Sequence, residues 1–253
     1  AMAANKNERT LIAAIIPPGT SHINGVFSFG APGMAAQTLA LVAASAGSLI
    51  ADFAVRAAPK SGIYQGVFER LPFARASELR SAILLRILRL NCVTVAFESL
   101  WSECFDPSFT KDDWTGPPTS AARPRLGEVE GSWTRQTPLR IAADRRQALL
   151  ETDALVALSL GITAEELCTI YRTQFPVLYG YDQNSRFYDA SGRLVPTAVV
   201  ATWRKKGRND GVFSAEELTG VHPGSGHCYT YQLPFGSLDR ERDLRSAYSE
   251  FER

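Results

Sequence analysis

The chain lacks the features that mark membrane, secreted and metal-binding proteins. It contains no run of about 18 apolar residues, and its N-terminus lacks the basic and apolar segments of a secretory signal. Its four cysteines form no C-x-x-C pair, and His222, His227 and Cys228 lack the paired spacing of a zinc site. We therefore expect a cytoplasmic protein with no membrane span and no metal site, in which Cys92 and Cys168 are reduced core residues.

A large excess of positive charge is also missing, although the cations are unevenly distributed. The formal net charge is +1 over 253 residues, which argues against a chain coated throughout by nucleic acid. Between residues 54 and 90, however, seven basic residues stand against two acidic ones, and residues 203–208 form a second basic cluster. Such clusters can face phosphates, but solvated protein surfaces give the same pattern.

The apolar pattern predicts an α+β chain that is mainly helical. Short strands are expected at residues 10–16 and 26–29, which would form a small N-terminal β-sheet. A short hairpin is expected near residues 187–195, around a glycine turn. Apolar residues at helical spacing predict long helices, which cover residues 34–57, 77–105, 137–160 and 239–251.

Helix boundaries are marked by several capping signals. Thr137 followed by proline predicts an N-cap, and Gly161 predicts the end of the same helix. Capping boxes with hydrophobic staples begin at Thr163 and Ser214. Residues 106–133 carry four prolines and few apolar residues, which predicts a long surface loop.

Several segments resemble the C-terminal part of adenine-N6 DNA methyltransferases. Residues 9–19, RTLIAAIIPPG, resemble the target-recognition region of the large type IIG-like enzymes of restriction-modification and phage-defence systems. The strand, strand, helix and Leu-Pro order of about the first 73 residues resembles the closing half of the target-recognition fold in TaqI-like methyltransferases. Segments that resemble the C-terminal tail of these enzymes lie at residues 88–92, 133–140, 171–177, 188–193 and 239–243.

The catalytic signature of that family is missing. An adenine methyltransferase holds the flipped base with an Asn/Asp-Pro-Pro-Tyr/Phe loop, and the Pro-Pro pairs at residues 17–18 and 117–118 lack the flanking residues. The glycine turn at residues 29–33, with Asp52 downstream, has fewer glycines than a dinucleotide fingerprint, and a tight turn before a core helix is the favoured interpretation. The resemblance thus implies no cofactor here, with S-adenosylmethionine bound only by a separate catalytic chain.

Ten residues are candidates for DNA contact. Side chains in the loop between the two predicted strands could read base edges, and the cations elsewhere could contact phosphates, with Trp203 available for stacking. An ordinary polar turn, a solvated loop or a mobile surface segment are the alternatives. Arg86 and Arg89, by contrast, are expected to pair with internal carboxylates such as Glu151 or Asp153. The candidate DNA-binding residues are Ser21, His22, Asn24, Arg56, Lys60, Ser61, Arg70, Arg204, Lys205 and Lys206.

The resemblance implies a DNA-binding, target-recognition accessory of a restriction-modification or defence adenine methyltransferase. The chain has no catalytic site of its own, and whether it forms part of a site-specific methyltransferase is left open. Residues 1–75 would form a partial target-recognition subdomain on double-stranded DNA, supported by a helical scaffold over residues 76–253. A separate methyltransferase or restriction chain would complete it.

Two alternatives differ in class from this reading. One is a protein-interaction scaffold that never contacts DNA, and the other is a decayed gene fragment. Because the family has additional upstream strands, we expect the small sheet to have an open edge, covered by another chain or by a second copy in a homodimer. Since Met2 follows a single alanine, we also expect the natural chain to begin there.

Overall fold

The computed structural model describes residues 6–23, 25–30, 33–58, 62–75, 77–117, 123–222 and 224–253. Over these residues the chain forms ten α-helices, three 3-10 turns and a two-stranded antiparallel sheet. The helices are α1 (Ala36–Gly47), α2 (Leu49–Ala57), α3 (Gln65–Phe68), α4 (Arg80–Asn91), α5 (Glu98–Cys104), α6 (Ala142–Ser159), α7 (Ala164–Gln174), α8 (Pro176–Asn184), α9 (Thr197–Lys205) and α10 (Arg240–Phe251). The mainly helical α+β class is confirmed.

Helix α6 lies at the centre of the helical body, packed against α4 and α10. One core cluster joins α1, α4, α5 and α6, with Leu85, Trp101 and Leu155 fully buried. A second joins α2, α6, α7 and α10 around Leu150 and Tyr171. Because α6 contributes to both clusters, it is buried on most of its surface, and the regions before and after residue 75 share one core.

The predicted helix at residues 34–57 is broken in the structure. Ser48 has an extended backbone and its hydroxyl accepts the N–H of Ala51, so it caps the start of α2. The N–H of Leu49 is satisfied by the Asp153 carboxylate of α6, at 2.7 Å. A buried capping group therefore makes the break stable. Over the described ranges no single helix is long and apolar enough to cross a membrane. Helices α1 and α2 together have the required length and apolar composition, but the chain bends by 58° between them.

The second long predicted helix, at residues 77–105, is also divided. Helix α4 ends at Asn91, whose amide donates to the Ile87 carbonyl, and Val95–Phe97 form a 3-10 turn before α5. The β-branched residues at 93–95 have low helix propensity, which explains the break at this point. Apart from a 3-10 turn at Pro107–Lys111, residues 106–133 are irregular where the structure describes them, as predicted. They do not form a loop that lies wholly at the surface, because Phe109 and Leu126 are fully buried in the same core cluster as α4.

The sequence analysis predicted the end of α6 correctly but placed its start too early. Thr137 does not cap the helix, because its hydroxyl accepts the N–H of Thr134 in a preceding turn. Gly161 follows the helix with a φ of +71°, the left-handed geometry predicted for it. The Thr163 capping box forms completely, whereas the box at Ser214 makes both hydrogen bonds around a single turn that does not continue as a helix.

The strands lie in the C-terminal part and not at the N-terminus. Within the described residues neither 10–16 nor 26–29 is a strand, and the sheet pairs β1 (Thr219–Val221) with β2 (Cys228–Thr230). The predicted hairpin at residues 187–195 is present as a bridge between Tyr188 and Leu194, with Gly192 in its turn at a φ of +77°. The N–H groups of Leu11 and Ile15 are instead accepted by the side chains of Asp52 and Asn91, so the first segment is held by the helical body and not by a second strand.

Candidate nucleic-acid interface

A buried carboxylate holds the N-terminal segment on the helical body. Asp52 of α2 has no exposed side-chain surface and accepts the backbone N–H groups of Thr10 and Leu11 at 3.1–3.2 Å. The Arg9 guanidinium donates to the same carboxylate at 2.8 Å. Asp52 is thus a structural clamp at this position. Ala31 and Pro32 of the glycine turn lie outside the described residues.

Arg56, a candidate for phosphate contact, is committed to internal partners. Its guanidinium donates to Asp52, to the Gln174 carbonyl at 2.7 Å and to the Asn7 carbonyl at 3.1 Å. It also lies 4.3 Å from the centre of the Phe175 ring, and only 6% of its side chain is exposed. The structure gives Arg56 a structural role, since contact with a phosphate would require these bonds to break.

The loop that carries Ser21 and His22 is exposed and is neither helical nor covered by the C-terminal helices. The His22 Nε2 atom lies 2.8 Å from the Ser28 hydroxyl, which closes the loop across six residues. Ile23 beside it is 84% exposed. Asn24, the third candidate in this loop, lies outside the described residues. The two described polar side chains are therefore accessible from solvent.

The second basic cluster lies at the end of α9, where Arg204, Lys205 and Lys206 are exposed. Arg204 donates to the Asn184 carbonyl, and Lys206 pairs with Glu217 at 2.6 Å, so these two cations are partly engaged. Cations in the last turn of a helix are also favoured by the helix dipole, which would explain them without any ligand.

Trp203, which precedes these cations in the sequence, is buried. Its side chain is 4% exposed and belongs to the small core of residues 187–235, with its indole N–H donated to Asn209. Trp203 is therefore not available to stack on a base. Of the remaining candidates, Arg70 is exposed after α3, while Lys60 and Ser61 lie outside the described residues.

Arg186 belongs to the same surface and had no signal in the sequence. It pairs with Glu8 of the N-terminal segment and with Asp182 at 3.6 Å, and it lies 5.4 Å from the Tyr181 ring centre. Arg204 binds the carbonyl at the end of the same helix, α8. Arg186 and Arg204 therefore both lie at the C-terminal end of α8, where the fold brings them together.

The interior carries a set of charged residues whose partners are mostly internal. Arg86 pairs with Glu151 and with Asp112, both at 2.7 Å, as expected for this arginine. Burial alone would lower the pKa of Arg86, but the two carboxylates together raise it. Arg89 instead donates to backbone carbonyls, including that of Thr137 at 2.9 Å, and burial lowers its pKa to about 10. The expected carboxylate partner is wrong for Arg89.

A second buried group attaches α10 to the helical body. The Arg240 guanidinium lies 2.6 Å from the Asp182 carboxylate, and the Tyr171 hydroxyl donates to the same carboxylate at 2.9 Å. Burial acts to raise the pKa of Asp182, but the attraction of Arg240 outweighs it and the pKa is lowered. Among the described residues, no cluster of three or more His, Cys, Asp or Glu side chains could hold a metal ion.

The cysteines are unpaired and differ in accessibility. Cys92, Cys104 and Cys168 are buried, as expected for Cys92 and Cys168, whereas Cys228 of β2 is exposed. Burial raises the pKa of Cys92 to about 12 and that of Cys104 to about 11. The buried thiols are therefore protonated and unreactive at neutral pH.

Comparisons of the chain with protein-family models, with curated proteins and with solved structures found no match.

Proposed function

We propose that the chain is a DNA-binding, target-recognition accessory of a restriction-modification or defence adenine methyltransferase, whose catalytic domain is supplied by another chain. The observation that supports this proposal most directly is the exposed Ser21–His22 loop. The segment that precedes it is fixed to the helical body by Asp52, so the loop projects from a rigid base. Binding residues are commonly placed on loops that a rigid scaffold positions.

The phosphate contacts are assigned to the surface around α8 and α9. Lys205 is exposed, and no described residue accepts a hydrogen bond from its ammonium group. Arg204 and Lys206 are exposed beside it, each with one partner, whereas Arg186 is neutralised by Glu8 and Asp182. Such cations would supply sequence-independent affinity, while His22 and Ser21 would contribute preference among base pairs.

A protein-interaction scaffold without DNA binding is the second candidate, and one observation favours it. Residues 10–30 contain no Asp, Glu, Lys or Arg, while Ile12 is 82% exposed and Ile23 is 84% exposed. An uncharged apolar segment fits a protein surface better than a phosphate backbone. The two candidates are separated by whether the chain binds DNA at all.

Fluorescence anisotropy of a labelled DNA duplex, titrated with the purified chain at several salt concentrations, tests the proposal. With about three phosphate contacts, affinity should fall roughly 40-fold between 50 and 200 mM salt. Lys205→Glu should weaken binding to every sequence alike, whereas the control Lys111→Glu, an exposed lysine elsewhere, should not. His22→Ala should instead reduce the difference between sequences.

An affinity that changes neither with salt nor with Lys205→Glu would refute the DNA-binding half and leave the scaffold candidate. The chain by itself should also fail to bind S-adenosylmethionine, because it lacks the Asn/Asp-Pro-Pro-Tyr/Phe loop and a complete glycine turn. Calorimetric titration with the purified cofactor would detect binding at micromolar affinity, which would contradict the assignment of the catalytic site to another chain.

A further inference from the structure

Residues 11–16 have the burial pattern of a strand that rests on the helical body. Leu11 and Ile15 are 6% and 8% exposed, whereas Ile12 and Ile16 are 82% and 45% exposed. Ala13 is half-buried and Ala14 is exposed, so burial alternates residue by residue. This period of two means that one face packs on the helices and an apolar face is open to solvent.

The two edges of this segment differ in their hydrogen bonding. On one edge, the N–H groups of Leu11 and Ile15 are accepted by Asp52 and Asn91, at 3.2 and 2.9 Å. In an extended chain successive N–H groups point to opposite edges, so those of Ile12, Ala14 and Ile16 point to the other edge. No described residue bonds to the backbone of these three residues.

This free edge lacks the charged residues and the prolines that commonly keep natural strand edges apart. Between residues 10 and 16 there is no charged residue and no proline, and proline appears only at residues 17–18. Six of the thirteen large apolar side chains that are exposed in the described residues lie between residues 12 and 29. The segment is therefore an uncovered template for another strand.

The free edge is complementary to itself. A two-fold axis at Ala14 would place Ala14 opposite Ala14 of the second copy, and Ile12 opposite its Ile16. The N–H and C=O groups of all three residues would then bond across the pair, in an antiparallel arrangement. The large, small, large order of the outward side chains matches itself, and because the segment is uncharged, no charge in it opposes the approach.

We propose that the chain forms a homodimer by antiparallel pairing of residues 12–16 with the same residues of a second copy. The acceptors Asp52 and Asn91 bind the opposite edge, so they do not compete with this pairing. This proposal does not depend on DNA binding. The protein-interaction scaffold candidate names no partner for this surface, and the proposal assigns it a second copy of the chain.

Sedimentation velocity of the full purified chain tests the dimer, between about 1 and about 100 µM. The expected result is a shift with concentration from the monomer mass of 27.6 kDa to twice that mass. Hydrogen exchange should become slower at the amides of Ile12, Ala14 and Ile16 over the same range. A chain that is monomeric throughout, with or without another protein bound at this edge, would overturn the proposal.

Two edge variants and a control make the test specific. Ala14→Pro removes an N–H that no described residue accepts, so it should abolish the dimer and leave the melting temperature unchanged at low concentration, where the wild type is also a monomer. Ile12→Lys places a charge on the outward face and should weaken dimerisation at least ten-fold. Val212→Lys changes a side chain that is 89% exposed elsewhere and should have no effect. A dimer that persists in both edge variants would show that another surface is responsible.

Discussion

Replacing Asp52 with asparagine should release the N-terminal segment from the helical body. The fully buried carboxylate pairs with Arg9 at 2.8 Å and with Arg56 at 3.3 Å, and it accepts two backbone N–H groups. Asparagine has nearly the same shape, but it loses the charge and presents an amide N–H₂ where an acceptor is needed. The substitution therefore leaves two guanidinium groups short of a counter-charge in a poorly solvated position.

The expected cost is about 3 kcal/mol, the lower end of the range for breaking a buried ion pair by removing one partner. Arg9 keeps some solvent access at 20% side-chain exposure, which is why the lower end applies. For a chain of this size such a loss lowers the melting temperature by roughly 6–12 °C. Urea unfolding and thermal melting of the wild-type and Asp52→Asn proteins would measure it.

Hydrogen exchange locates the effect in the structure. In Asp52→Asn the amides of Thr10 and Leu11 should exchange faster by a larger factor than those of α6. Asp210→Asn is a matched control, because Asp210 is exposed and makes no ion pair with a described residue. If Asp52→Asn changed the free energy of unfolding by no more than this control, the clamp would not hold the segment and the reasoning would be refuted.

Three further outcomes follow from side chains whose surroundings are fixed. Ellman's reagent should titrate one thiol, Cys228, in the native chain and all four in denaturant, since burial raises the pKa of Cys92 to about 12; a second fast native thiol would contradict this. Gly127→Ala should cost about 2 kcal/mol, because its Cβ would lie 2.5 Å from a backbone carbonyl oxygen. Gly180→Ala, in open space on α8, should instead stabilise by about 1 kcal/mol. Urea unfolding should therefore give changes in unfolding free energy of opposite sign for the two variants. Because the folded-state pKa of Asp182 is lowered, the contribution of its charge to stability is complete above about pH 4 and is lost as the pH falls through the folded-state pKa. The difference in the free energy of unfolding between wild type and Asp182→Asn should therefore shrink in acid and not in alkali.

Local signals in the sequence predicted the helical part well where the deciding contacts are local. Gly161 and the Thr163 capping box act within one turn, and both form as expected. The break at Ser48 could not be predicted in the same way, because Asp153, more than a hundred residues away, supplies the acceptor for Leu49. The helical spacing of apolar residues over 34–57 gives no information about that distant carboxylate.

In the candidate site, too, the sequence predicted the features that depend on neighbouring residues and missed those that depend on distant ones. Sequence clustering identified the exposed cations of α9, because neighbouring residues on one helix end share a surface. It could not show that Arg56 is enclosed by backbone carbonyls from the N-terminal segment and from α7. Nor could it find the pairing of Arg186 with Glu8, because the two residues are far apart in the sequence. Charge counts predict where cations are numerous but not which of them remain available.

The burial of α6 on most of its surface restricts how the chain can be shortened. Its charged residues are neutralised from separate parts of the sequence: Arg86 of α4 pairs with Glu151, and Asp243 of α10 pairs with Arg146 at 2.8 Å. A version that ended before α10 would leave Arg146 without its carboxylate partner and Asp182 without its closer guanidinium partner, Arg240. Such a truncation should yield an insoluble or molten product and not a smaller folded unit, so deletion mapping of any activity must keep the chain through Phe251.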